Sequence, residues 1–255
     1  MPSLLATAVD KLFDDAGLFP PASRPMAEAL RAHHAAVTGP WAGLVGPFLC
    51  PVSRLDELDA CVASGLPRPQ RIGLIAYDVG RLGRRPNSVE GLAQFEAPLG
   101  TKLPDLGTWV LRYLEVPAMA KVHEALDRIA ELGARAKLRC GGMSRDDVPA
   151  PDRVADVLVG CVERGLVLKA TAGLHEPFTT TGPSGRRYGF VNLLAAAASA
   201  RTGSYRAQVA EVLATEEPQA LDLVHRLTRA RELLKSVGTC SIDEPVDALV
   251  SRGLL

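Results

Sequence analysis

No charge of either sign is in excess: 29 Lys and Arg stand against 29 Asp and Glu in 255 residues. A basic surface for nucleic acid is therefore not expected, and there is no acidic tail. No apolar run reaches the roughly 18 residues that a membrane span needs. The longest candidate is the Ala-rich stretch 190–200. The opening text MPSLLATAVDKLFDDAGLF carries Asp10, Asp14 and Asp15 where a signal peptide would need an apolar run, so no secretory signal is expected. The five cysteines, Cys50, Cys61, Cys140, Cys161 and Cys240, are odd in number, widely spaced and form no CxxC pair. Disulfides and a structural zinc are thus not expected, and the thiols read as small buried hydrophobes. What remains is a cytoplasmic protein whose partner is a small molecule, neutral or held by a local charge cluster. Neither nucleic acid nor membrane is expected as a partner, and a homo-oligomer is compatible with the sequence.

Nearly half of the residues, 47%, are hydrophobic, which allows a sizeable core. Residues 3–15 and 24–37 read as helices parted by LFPPAS, whose double proline cannot sit inside a helix. After Pro40 the text alternates. Strands are expected at 43–51, 71–78, 94–100 and 109–117, then at 136–140 and 166–171, with 187–200 as a very short strand running into a helix or as helix alone, and a last strand at 235–241. Helices are expected at 55–63, with Ser53 as N-cap, near 88–92, and at 118–132 and 150–164. Further helices are expected up to residue 200, at 219–234 and at 245–252. Alternation with short connections predicts a parallel sheet covered on its faces. Seven or eight such units, in a chain near the roughly 250 residues typical of the fold, predict a (β/α)8 TIM-like barrel. No GxGxxG follows the first strand, against a Rossmann fold. The expected layout is one α/β domain, with residues 1–42 as an N-terminal helical extension and 43–255 as the barrel.

In such a barrel the site forms at the C-terminal ends of the strands. Collecting polar residues there gives Cys50, Asp78, Glu96, Glu115, Lys137, Arg139, Lys169, Thr171 and His175, with Asn192 and Thr239. Carboxylates come from the earlier strands and cations from the later ones. Lys137 and Arg139 share one face of their strand, as do Lys169 and Thr171. Lys169 follows the apolar run 166–168, where burial and a neighbouring Lys137 or Arg139 would lower its pKa and free the amine as nucleophile or base. Its structural alternative is an ion pair with Glu115 or Glu96. Arg139 with the amides of Gly141 and Gly142 could clamp a carboxylate or phosphate. Gly173 opens the turn after Thr171. His175 stands beside Glu176 as an acid/base candidate on the loop 174–189, a stretch of lid-like composition. Glu96 and Glu115 could bind Mg2+; no other cofactor is expected. His33 and His34 read as solvated.

Two resemblances rest on these residues. KLRCGG at 137–142 and KATAGLH at 169–175, with FPPAS near the start and GTCSIDEPVDALVSRGLL at the end, resemble an uncharacterised bacterial family of about this length, which implies no activity. Lys169-Ala170-Thr171-Ala172-Gly173 is similar to the Lys-Thr-Ser-Thr-Gly strand of deoxyribose-phosphate aldolases, class I barrel enzymes. That resemblance implies a Schiff base on Lys169, tuned by Lys137 on a second strand that ends in Gly141-Gly142. The two lysine motifs here stand in the opposite order along the chain, and Ala170 and Ala172 replace a threonine and a serine.

The leading expectation is a lyase or aldolase-like enzyme for a small carbonyl compound with an anionic group. Lys169 and Lys137 would be catalytic, Glu115 or His175 would move protons, and Arg139, Gly141, Gly142, Thr171, Gly173 and Asn192 would hold the substrate. The alternatives are a Mg2+-assisted enolising isomerase or lyase and a non-catalytic ligand-binding barrel.

Overall fold

Short apolar runs bounded by glycine and proline do become strands, and they close on themselves. The computed structural model describes residues 4–77, 88–142, 144–183, 185–221 and 227–255. Its barrel strands are β1 (Phe13–Asp15), β2 (Val45–Pro51), β3 (Ile72–Ile75), β4 (Leu92–Pro98), β5 (Leu111–Glu115), β6 (Arg135–Arg139) and β7 (Leu168–Thr171). An antiparallel hairpin, β8 (Thr180–Gly182) and β9 (Gly185–Arg187), precedes the eighth barrel strand, β10 (Leu234–Thr239). All barrel pairs are parallel, and β10 closes the ring between β7 and β1. Helices fill the connections: α2 (Met26–Thr38) after a short α1 (Leu4–Val9), α3 (Leu55–Ala63), α4 (Val122–Glu131), α5 (Pro151–Glu163), α6 (Phe190–Arg201), α7 (Arg206–Ala214) and a last helix Asp243–Val250. The expected (β/α)8 barrel is the fold. Among the described residues no helix is long and apolar enough to cross a membrane.

Two strands differ from expectation, and the differences offset each other in the count. The barrel starts at Phe13, inside the stretch read as helix 3–15. Lys11 takes φ 48°, which ends the helix, and Phe13, Asp14 and Asp15 are all buried between β10 and β2. Three residues are too few to show a period of two, so tertiary pairing decides here. At the other end, 187–200 adds no barrel strand and follows its helical alternative: α6 is buried on every side from Phe190 to Ala200, which hides the 3.6-residue period that marks a helix. The expected helix 219–234 is reduced, in its described part, to 3-10 turns and one helical turn, Ala230–Leu233. Ser53 sits in a 3-10 turn and makes no side-chain cap for α3. Most of the connection after β3, with Asp78, lies outside the described residues.

Alternation then sorts the strand side chains. Phe95, Ala97, Ala136, Leu138, Leu168 and Ala170 join the apolar layer between sheet and helices. Their neighbours Gln94, Glu96, Lys137 and Lys169 are buried too, but on the opposite faces of the same strands. The barrel interior is therefore polar around Lys169.

Candidate active site

Lys169 on β7 is fully buried, and its Nζ lies 2.5 Å from Asp14 Oδ2 and 2.5 Å from Glu96 Oε1. The other oxygen of Glu96, Oε2, is 3.0 Å from Lys137 Nζ in an ion pair, and Lys137 also pairs with Glu115 Oε2 at 3.2 Å. Lys137 and Lys169 are register partners on adjacent strands, so one carboxylate can bridge both. Gln94 donates from Nε2 to Asp14 Oδ2 and to Glu96 Oε1, both at 3.0 Å, and Ser236 donates to Asp14 Oδ2 at 2.9 Å. The result is a chain Ser236–Asp14–Lys169–Glu96–Lys137–Glu115 crossing the barrel. Tyr113 lies under it, its ring centroid 5.5 Å from Lys169 Nζ. Gly46 leaves the space that Asp14 occupies: a Cβ there would collide with Asp14 Oδ1.

Electrostatics follow from this order. Burial pulls the Lys169 amine down, but Asp14 and Glu96 outweigh it and hold the pKa above the ordinary lysine value. Lys137 is raised as well, burial being outweighed by Glu96 and then Glu115. Burial pushes Glu96 up, while Lys169 and Lys137 bring it below the usual carboxylate range. The expected lowering of Lys169 by its neighbouring lysine is therefore corrected: each ammonium faces two carboxylates and only one like charge. Of the two carboxylates expected as Mg2+ ligands, Glu96 has both oxygens on ammonium groups and Glu115 faces Lys137. Among the described residues no group of three or more His, Cys, Asp or Glu is placed to hold a metal.

Solvent reaches the row at one end. Glu115 is 21% exposed, against 5% for Lys137 and none for Lys169 and Glu96. Arg139, two residues beyond Lys137 on the same face, is exposed and has no hydrogen-bond or ion-pair partner among the described residues. Thr171 follows Lys169 on its face, and its Oγ1 is buried without a partner. Ala172 and Gly173 then both take left-handed φ, 66° and 74°, a conformation that strains alanine and marks sites under constraint. Gly141 packs on that turn: a Cβ would stand 3.3 Å from Ala172 O and Gly173 Cα. The two glycine turns expected from sequence thus meet backbone to backbone. Gly142 is different, packing on the side chain of Asp147, which accepts the Ser144 N–H at 2.8 Å. A carboxylate stands where the Gly142 amide was expected to hold an anion.

His175 pairs with Glu244, Nδ1 to Oε2 at 2.7 Å, and not with its sequence neighbour Glu176, which binds Arg252 at 3.0 Å. Its Nε2 lies 3.8 Å from Cys240 Sγ. Asn192 is not at a strand end. It is fully buried in α6, accepting from Thr179 N and donating to Val212 O and Thr215 O, each at 2.9 Å, so its amide is spent on holding the loop before α6 to the end of α7. His33 is likewise not solvated but buried, Nδ1 on Asp15 Oδ2 at 2.9 Å, pinning α2 to β1.

Sequence reading missed Asp14, Gln94, Ser236, Cys240 and Glu244. Asp14 went unseen because its strand was read as helix. Cys240 and Glu244, spaced by four in TCSIDE, were a usable signal of a strand end facing a helix start. A cavity of about 570 Å3 lies beside residues 100–106 and α4, and another of about 310 Å3 beside α2; neither is lined by Lys137, Lys169 or Glu115. In the comparisons with known proteins, no family model and no curated protein matches the chain.

Proposed function

We propose that the barrel is a lyase or isomerase for a small carbonyl compound bearing an anionic group, and that it works by moving a proton next to the carbonyl. The observation that carries this reading is the graded row from Lys169 to Glu115: a fully buried lysine, a carboxylate shared by two ammonium groups, a second buried lysine, and a carboxylate that solvent reaches. Buried charge is costly to keep without a role, and such clusters concentrate where chemistry occurs. Lys137, held protonated, donates to the carbonyl oxygen as charge develops there. Glu115 takes the proton from the adjacent carbon. Lys169, clamped by Asp14 and Glu96, fixes the position and charge of Glu96, while Arg139 holds the anionic group.

The test is exchange of the substrate's α-protons with D2O, followed by proton NMR, over a panel of 2-oxo acids and phosphorylated ketones. Exchange with at least one compound, abolished in Lys137→Met, supports the reading. Saturable binding without exchange favours a non-catalytic ligand-binding barrel.

A second reading, on the resemblance to deoxyribose-phosphate aldolases, makes Lys169 a Schiff-base lysine. Supporting it, Lys169 stands in register with Lys137 on the adjacent strand, the second lysine that the resemblance invokes; Asp14 and Glu96 hold the amine protonated, so a proton must leave it before it acts as a nucleophile. The amine would add to the carbonyl carbon and water would leave. Borohydride trapping with the adduct mapped to Lys169 separates this reading from the first. Asp14, Glu96 and Glu115 each face a lysine ammonium in this row, so the proton transfer is assigned to these side chains alone; indifference of activity to a chelator checks it.

A further inference from the structure

Three side chains at the same end of the barrel stand in a row that the lysine chain does not use. Cys240 directly follows β10, His175 lies four residues beyond the end of β7, and Glu244 sits in the first turn of the last helix. Cys240 Sγ is 3.8 Å from His175 Nε2, and His175 Nδ1 is 2.7 Å from Glu244 Oε2. Thr239 Oγ1 is also 3.5 Å from Nδ1, but it donates its proton to Ser241 O at 2.8 Å.

The tautomer follows from these partners. An ionised carboxylate only accepts, so the imidazole proton sits on Nδ1 and points at Glu244. Nε2 is left with its lone pair towards the thiol. Exposure falls along the row, from 59% for Glu244 through 26% for His175 to 7% for Cys240, so the base is reached by solvent and the thiol lies just beneath it. Burial pushes the Cys240 thiol up, so it stays protonated until a base removes its proton. Cys50, Cys140 and Cys161 are pushed up to about 12 by burial and have no histidine beside them. Among the described residues Cys240 is the one cysteine with a base in reach.

We propose that Cys240, His175 and Glu244 form a nucleophile, base and orienting acid that take the acyl group of a small activated ester or thioester. His175 Nε2 accepts the thiol proton as Sγ bonds to the carbonyl carbon, and the carbonyl π pair moves onto oxygen. That pair returns, the bond to the alcohol or thiol breaks, and the leaving group takes the proton from Nε2. Water, deprotonated by the same nitrogen, adds to the acyl carbon; the carbon–sulfur bond breaks, Sγ takes back the proton from Nε2, and the acid departs. This activity stands apart from the lysine row: α-proton exchange reads one and a Cys240 adduct reads the other.

The experiment incubates the full chain with p-nitrophenyl acetate and follows intact mass and a peptide map. The expected result is an acetyl group on Cys240. His175→Ala should slow its formation on the order of 100-fold, the usual contribution of a positioned general base. Glu244→Gln, at an exposed site where the fold is not at stake, should slow it as well, and Cys240→Ser should remove the thioester adduct with an unchanged melting temperature. Acetyl on Cys61 or surface lysines with Cys240 free would overturn the proposal. So would Cys240 acetylation as fast in Glu244→Gln and His175→Ala as in the parent.

Discussion

Glu96 Oε1 lies 2.5 Å from the ammonium of Lys169, with both side chains shut off from solvent. Removing one partner from a buried pair leaves the other charge uncompensated, at a typical loss of about 3–5 kcal/mol. Lys169→Met should therefore destabilise the barrel by that order in urea unfolding. Adding Asp14→Asn, which removes one of the two carboxylates left behind, should restore part of the loss. A single variant as stable as the parent would contradict the pairing.

The same row sets a pH window. Glu96 has a folded pKa below its ordinary 4.5, so its contribution is present above pH 4.5 and is lost as pH falls through the lower folded value. Lys137 and Lys169 have folded values above 10.5, so theirs is complete below pH 10.5 and is lost as pH rises through the higher folded values. Melting temperature measured against pH should show Glu96→Gln well below the parent at neutral pH, with the gap narrowing in acid. A constant gap down to pH 2 would mean that folding does not lower the pKa of Glu96.

The turn after β7 gives a stability test of its own. Ala172 at φ 66° carries strain that glycine lacks, of order 1–2 kcal/mol, partly offset by the greater freedom of glycine in the unfolded chain. Ala172→Gly should leave the melting temperature unchanged or raise it. Gly141→Val, by contrast, drives a branched side chain against Ala172 O and Gly173 Cα and should destabilise. If Ala172→Gly costs more than Gly141→Val, the two turns are not packed as described.

Asn192 offers a control on roles. Its amide meets three backbone groups in a fully buried setting. Leaving such groups unpaired costs about 1–3 kcal/mol each, so Asn192→Ala should lower stability by at least that unit. Chemical denaturation checks it, and an unchanged midpoint would reopen the expected role of Asn192 in substrate binding.

How much of this was legible in sequence depends on the length of each signal. β2 to β7 and β10 fall in short stretches between turns and helices, β2 and β3 as apolar runs and β4 as the weakest signal, and alternation puts Lys137, Lys169, Glu96 and Glu115 on faces opposite the apolar layer. β1 is three residues long, so neither period nor propensity could separate it from helix, and with it Asp14 was lost. That loss changed the chemistry: Lys169 read first as an amine depressed by a like charge, with an ion pair to Glu96 or Glu115 as its structural alternative, whereas Asp14 and Glu96 together hold it cationic. Spacing put Arg139 at the end of β6 and the Gly141-Gly142 turn after it, where they lie, but only the fold brings Ala172 and Gly173 against Gly141 and Asp147 against Gly142. His175 was found at its strand end, but its partner Glu244 lies 69 positions away in sequence, a distance no local pattern spans.

The most direct measurement of the central claim is α-proton exchange in D2O for 2-oxo acids and phosphorylated ketones, run side by side on the parent and on Lys137→Met. The parent should exchange and the variant should not, with the variant still folded by circular dichroism. No exchange by the parent with any compound, or equal exchange by both proteins, would contradict it.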